Sequence, residues 1–177
     1  MGGEHFVNEL PVRKHPRLKG YNYNNNGVYF ITFCVAGRHE MLGKIVGRGD
    51  PDAPCIQLSE HGIIVQKHID QIELHYNGVI VDKYVVMPNH IHMIIVVNRD
   101  GGMEHREGGA SGSPRPTNAL IPNIIKALKR LTNKVYGFNM WQTSFHDRII
   151  RDEADYRTIC QYIDENPARW AEDEYHG

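Results

Sequence analysis

Apolar and polar positions along the chain follow two periods, and the switches between them mark its elements. Residues 27–37, GVYFITFCVAG, are rich in aromatic and β-branched side chains and bounded by glycine, which predicts a buried strand. The next stretch, GKIVGRGDPDAPCIQLS, is broken by Gly, Asp and Pro, so it holds only short strand pieces around a turn. Ser59 stands as an N-cap before EHGIIVQKHIDQIELHY, where Ile64, Val65, Ile69, Ile72 and Tyr76 approximate helical spacing. Two strand-length runs follow, GVIVDKYVVM and HIHMIIVV, with Pro88 and Asn89 supplying the turn between them.

Residues 98–117 lose apolar content and fill with Gly, Ser, Pro and charge, the composition of a mobile loop inside a domain. Helical periodicity resumes in NALIPNIIKALKRLTNKVYG and stops at Gly137, a C-cap residue. WQTSFHDRII reads as a further strand. The last helix starts at Asp152, with Asp155 three residues on as an acidic variant of the capping box, and Pro167 ends it. The order β-α-β-β-α-β-α predicts an α+β fold of the ferredoxin-like, split βαβ kind. It has a central antiparallel sheet, helices on one face, and an added C-terminal helix. The expected organisation is a basic segment over 1–26, a single domain over 27–170 and an acidic tail over 171–177.

At 177 residues and 41% hydrophobic, the chain is long enough to bury a core within one domain. A net charge of -1 gives no global sign of a nucleic-acid partner, so such a partner must be argued from local clusters of Lys and Arg. Cys34, Cys55 and Cys160 are odd in number and widely spaced, which argues against a disulfide framework and fits a reducing cytoplasm. Neither a signal-like apolar segment nor a run of about 18 apolar residues occurs, so a membrane role is not expected.

Two chemistry-bearing patterns stand out. In a strand, His90 and His92 project to one face while Ile91, Met93 and Ile95 face the other way. Two such imidazoles can converge on one metal ion, though buried or solvated histidines fit the same spacing. A histidine-triad hydrolase needs a third His where Ile94 stands, and a metallo-β-lactamase-like site needs Asp and His immediately downstream; both are excluded. His61, His68 and His75 recur every seven residues, about 10.5 Å apart on a helix, too far to share an ion. They read as a solvated or interface face.

On the last helix, Tyr156, Ile159, Cys160 and Ile163 form an apolar face, with Tyr162 and Asn166 one turn apart on its flank. Spacing leaves open whether Tyr162 is functional or an amphipathic residue at the core edge.

RLKGYNYNNNGVYFITFCV, VVMPNHIHMIIV, LKRLTNKVYG with MWQTSFHDRIIRDEADY, and YIDENPARW occur in this order. Together they resemble the REP-associated tyrosine transposases, relatives of the single-tyrosine HUH transposases, over roughly residues 13–170. The resemblance implies that His90 and His92 hold a divalent metal ion, magnesium or manganese, and that Tyr162 is the nucleophile. It places Asn166 as a further metal ligand; insertion-sequence relatives usually carry Gln there. It also implies a single-stranded DNA endonuclease and strand transferase acting on hairpin or palindromic DNA through a 5'-phosphotyrosine. Two alternatives are a catalytically silent, domesticated hairpin-binding protein and a rolling-circle Rep or relaxase-type nickase. Either a monomer or a homodimer fits.

Candidate DNA contacts are the basic and aromatic cluster Arg13, Lys14, Arg17, Lys19, Tyr21 and Tyr23. They also include the helical stripe Lys126, Arg130 and Lys134, and Arg148 with Arg151 at a strand-to-helix junction. The acidic WAEDEYHG is expected to point away from DNA.

Overall fold

The structure, a computed structural model, describes residues 25–47, 54–99 and 119–176. Its elements in chain order begin with strand β1 (Gly27–Cys34), the short strands β2 (Gly43–Val46) and β3 (Cys55–Leu58), helix α1 (Glu60–Asp70) and the single turn α2 (Ile72–His75). Strands β4 (Val79–Val86) and β5 (His90–Val97), helix α3 (Leu120–Tyr136), strand β6 (His146–Ile150) and helix α4 (Glu153–Glu165) complete the order. Most of the loop expected over 98–117 lies outside the described residues.

One sheet holds β4, β5, β1 and β6 in that order, with every neighbouring pair antiparallel, while β2 and β3 pair separately. Strands β1 and β4 therefore run the same way with β5 between them, and β5 and β6 run the same way with β1 between them. Each pair is joined by a helical crossover, which is the split βαβ arrangement expected from the element order.

Strand parity decides what each face buries. Tyr29, Ile31 and Phe33 of β1 and Ile91, Met93 and Ile95 of β5 pack with Val65 and Ile69 of α1 and Ile121, Ile124, Ile125 and Leu128 of α3. The opposite parity, Val28 and Phe30 of β1 and Ile94 of β5, packs with Ile159 and Ile163 of α4. Helices α1 and α3 thus share one face and α4 covers the other. His90 and His92 have the parity of Ile94, so both imidazoles face the α4 side, within a strand buried at every position but Val96.

Local signals account for most boundaries. Ser59 Oγ accepts from Gly62 N at 3.1 Å and Asp152 caps α4 through Asp155 N at 2.8 Å, satisfying amides that helix starts leave unpaired. Gly137 takes the left-handed φ of 76° that closes α3. Two expected elements are shorter in the fold. The first helix breaks at Gln71, leaving α2 as a separate turn. The strand expected over 141–150 is regular only from His146: Trp141 makes an isolated bridge to Val35, and Lys129 Nζ gathers the Gln142 and Ser144 carbonyls at 2.8 and 2.9 Å.

Gly62 faces the Leu42 main chain so closely that a Cβ would run into the Leu42 carbonyl. Gly62→Ala is expected to destabilise the fold by about 1–3 kcal/mol, as overpacking against backbone does. A lowered thermal midpoint with unchanged unfolding cooperativity checks this.

Candidate functional site

The two histidines meet as their parity requires. His90 Nε2 and His92 Nε2 are 2.9 Å apart, and the residues are 0% and 1% exposed. Their other ring nitrogens are tied down. Asn89 Nδ2 donates to the Arg38 and Tyr175 carbonyls at 3.0 and 2.8 Å, which leaves Asn89 Oδ1, an acceptor, 2.8 Å from His90 Nδ1. His90 Nδ1 must therefore carry the proton, and neutral His90 presents a bare Nε2 lone pair. His92 Nδ1 lies 2.7 Å from Thr32 Oγ1, the residue opposite it on β1. Phe30 stacks on His92 with centroids 5.4 Å apart, fixing the ring plane.

Helix α4 brings its own groups to the pair. Tyr162 Oη is 3.2 Å from His92 Nε2, and its ring meets Phe30 edge-on. One turn later Asn166 is 2% exposed; its Nδ2 donates to Asp173 Oδ2 at 2.8 Å, while its buried Oδ1 has no hydrogen-bond partner. Asp173 itself comes close: His90, His92 and Asp173 offer ligand atoms within 4.8 Å of one another, a set that could hold a metal ion. His90 Nε2, left bare by that tautomer, can accept from His92 Nε2–H or share an ion with it. In an octahedral shell with bonds of about 2.0–2.1 Å, neighbouring ligand atoms stand about 2.9 Å apart. The donor set and the orphaned Asn166 oxygen thus fit a divalent ion.

His92, Tyr162, Asn166 and Asp173 line a cavity of about 810 Å³ with Thr32, Arg38, Arg148, Arg169 and Tyr175 among its walls, and His90 lies behind His92. Burial dominates its electrostatics. It pushes His90 down to about 4, the nearby Asp173 carboxylate partly opposing it, and holds His92 well below the usual imidazole range, with His90 adding to the effect. Tyr162 moves the other way, up to about 12, first through burial and then through the Asp173 and Glu174 carboxylates.

A histidine kept neutral in the fold but free to charge when unfolded contributes stability above its unfolded pKa of about 6.5. That contribution drains away as pH falls towards the folded value. Through His90, roughly 2 kcal/mol is expected to be lost between pH 7 and pH 5, with His92 adding in the same direction and the loss flattening for His90 below pH 4. Urea midpoints across this range without divalent metal check it; a midpoint flat from pH 7 to 5 contradicts it.

No family model matches the chain. An uncharacterized protein of Haemophilus influenzae is 30% identical over 175 residues, covering 93% of each chain, and the two belong to one family. Among solved structures, a REP-associated tyrosine transposase bound to a REP hairpin superposes with a TM-score of 0.57 over 90% of this chain and 74% of that one, at 19% identity. The fold is that of a REP-associated tyrosine transposase.

Within this transposase fold, His90, His92, Tyr162 and Asn166 converge in one chain, and Arg148 lines the same cavity while paired with Asp155 at 2.7 Å. Lys126, Arg130 and Lys134 are exposed on α3, in the layer across the sheet from the cavity, and Arg151 is exposed just beyond β6. Arg13, Lys14, Arg17, Lys19, Tyr21 and Tyr23 lie outside the described residues. The first-helix histidines divide: His61 stacks on Tyr136 of α3 at 4.0 Å, whereas His75 is exposed.

The acidic segment is where the transposase fold departs from expectation. Instead of pointing away, residues 173–175 fold back over the histidine pair. Pro167 stops α4, and a 3-10 turn at Trp170–Glu172 buries Trp170 beside His90 with ring centroids 5.9 Å apart. Arg38 and Asn89 then hold the Glu174 and Tyr175 carbonyls. Arg38, Thr32 and Asp173, which line the cavity, and Asn89, which holds His90, are the site groups that sequence reading passed over. Thr32, a lone hydroxyl in an apolar strand, and Asn89, beside the first histidine, carried a signal; Asp173 carried none.

Proposed function

We propose that this protein is a metal-dependent single-stranded DNA endonuclease and strand transferase acting on hairpin DNA through a covalent tyrosine intermediate. The observation that carries the reading is the Tyr162 hydroxyl 3.2 Å from His92 Nε2, in a chain whose two histidines bring their Nε2 atoms within 2.9 Å of each other. A hairpin is the substrate class because the transposase that shares this fold is bound to one.

Each residue has a part in the reaction. His90, His92 and the Asn166 amide oxygen would hold a divalent ion, with Asn89 and Thr32 fixing the imidazole orientations. A bound magnesium or manganese ion supplies charge neutralisation at a non-bridging oxygen of the scissile phosphate. Tyr162 supplies the nucleophile: its phenolic oxygen bonds to phosphorus, the bond from phosphorus to the 3'-oxygen breaks, and the phenolic proton is balanced by the proton the 3'-hydroxyl gains. The 5'-phosphotyrosine retains the energy of the phosphodiester, so a 3'-hydroxyl can reverse the step and join strands without ATP. That the tyrosine reaches His92 of its own chain supports a site complete within one protomer.

Two assays test this. Full-length protein with a hairpin oligonucleotide and manganese is expected to give a covalent product on a denaturing gel, reversed by an oligonucleotide with a free 3'-hydroxyl. Binding of the hairpin without any adduct in magnesium or manganese sinks the enzyme reading in favour of the silent hairpin binder. Mixing His92→Ala with Tyr162→Phe protein is expected to restore no adduct; recovery in the mixture instead assigns the tyrosine to a partner's site.

A further inference from the structure

We propose that Arg38 is a DNA phosphate-binding residue of this site, its guanidinium taking a phosphate of the strand that enters the cavity. The proposal rests on the DNA-processing reading above. It begins from backbone strain: Arg38 has φ 57°, a non-glycine residue in the left-handed region, directly after Gly37 at φ 67°. An arginine there costs of order 1 kcal/mol or more and lacks the short polar side chain that eases Asn or Asp into that region. Such a conformation persists only where its surroundings hold it.

Here they do. The left-handed pair turns the chain leaving β1 so that the Arg38 carbonyl accepts from Asn89 Nδ2 at 3.0 Å, the same amide that fixes His90. One side chain therefore sets both the arginine and the first histidine. The guanidinium is delivered to the cavity wall, where Nη1 donates to the Glu174 carbonyl at 2.8 Å and Cζ lies 5.5 Å from the centre of the Tyr175 ring. An acceptor oxygen beside an aromatic face is what a nucleotide also presents, as phosphate and base.

Charge separates Arg38 from the other cavity cations. Arg148 is paired with Asp155 at 2.7 Å, and Arg169 lies between Glu165 and Glu172 at 3.8 and 3.5 Å. Among the described residues Arg38 forms no ion pair, although Asp173 and Glu174 line the same cavity. A guanidinium fork outside any ion pair, with one N–H on the Glu174 carbonyl and others left to donate, matches a phosphate in charge and in geometry.

The test is a cycle between the arginine and individual phosphate charges. Hairpin oligonucleotides carrying one neutral methylphosphonate, placed at each linkage in turn, are titrated against wild-type and Arg38→Gly protein. Glycine accepts the left-handed φ, so this variant is expected to fold, with a thermal midpoint measured beside the wild type to account for the lost bond to the Glu174 carbonyl. At one linkage, neutralisation is expected to weaken wild-type binding about tenfold and to cost Arg38→Gly nothing further, that variant having already lost the same factor. Arg38→Lys should recover part of the loss. Penalties that multiply independently at every linkage, or wild-type affinity in Arg38→Gly, overturn the assignment. Binding carries this readout, so a wild-type protein that forms no adduct defeats the phosphotyrosine reading and leaves the cycle to decide Arg38 separately.

Discussion

Tyr162→Phe is expected to eliminate the covalent DNA product, a loss of at least about 10⁴-fold, while hairpin affinity changes by less than about threefold. The size follows from the geometry. The Tyr162 hydroxyl stands 3.2 Å from His92 Nε2, and Phe removes that oxygen with little other change in shape. Of the other tyrosines nearby, Tyr156 Oη donates to Asp82 at 2.6 Å, and among the described residues the Tyr175 hydroxyl hydrogen-bonds to neither histidine. Tyr175→Phe should therefore still form adduct. Its ring sits 4.8 Å from that of His90, which makes it the informative control. Since burial and two carboxylates lift the Tyr162 pKa to about 12, the wild-type rate should climb with pH through the range in which the fold persists, as the phenolate fraction grows.

His92→Ala is the second large expectation. His92 is the hub of the site: Nε2 meets both His90 and Tyr162, Nδ1 meets Thr32, and Phe30 stacks on its face. Removing the imidazole takes away one of two nitrogen ligands and releases Tyr162. Manganese affinity, read by paramagnetic resonance of the free ion, should fall by at least about 100-fold, and adduct formation by about 10³-fold or more. Truncation of a buried ring also costs about 2–4 kcal/mol of stability, so the comparison belongs well below the lowered melting temperature. Unaltered manganese binding by His92→Ala contradicts the assignment of the pair as ligands.

The parts of this site that were legible in sequence are those set by a fixed period. Alternation along residues 90–97 placed both histidines on one face, and the four-residue spacing of Tyr162 and Asn166 placed both on one side of α4. The resemblance in ordered motifs then joined two segments that periodicity leaves unconnected. What escaped was set by irregular backbone. Arg38 reaches the cavity through two consecutive left-handed residues, and Asp173 through a 3-10 turn that reverses the chain after Pro167. Neither has a repeating pattern to reveal it. The acidic composition of WAEDEYHG suggested distance from a DNA site, yet packing of Trp170 and two main-chain hydrogen bonds outweigh that electrostatic argument. Strand length over 141–150 was overread for a related reason: the buried Trp141 and Phe145 belong to a loop pinned by Lys129.

Mass spectrometry of the adduct addresses the central proposal most directly. Wild-type protein is incubated with hairpin DNA and manganese, digested with nuclease and then with trypsin, and the modified peptide is sequenced. The expected result is a nucleotide joined through its 5'-phosphate to Tyr162. Attachment to Tyr175 or any other residue, or cleaved DNA carrying a free 5'-phosphate with no modified peptide, contradicts it.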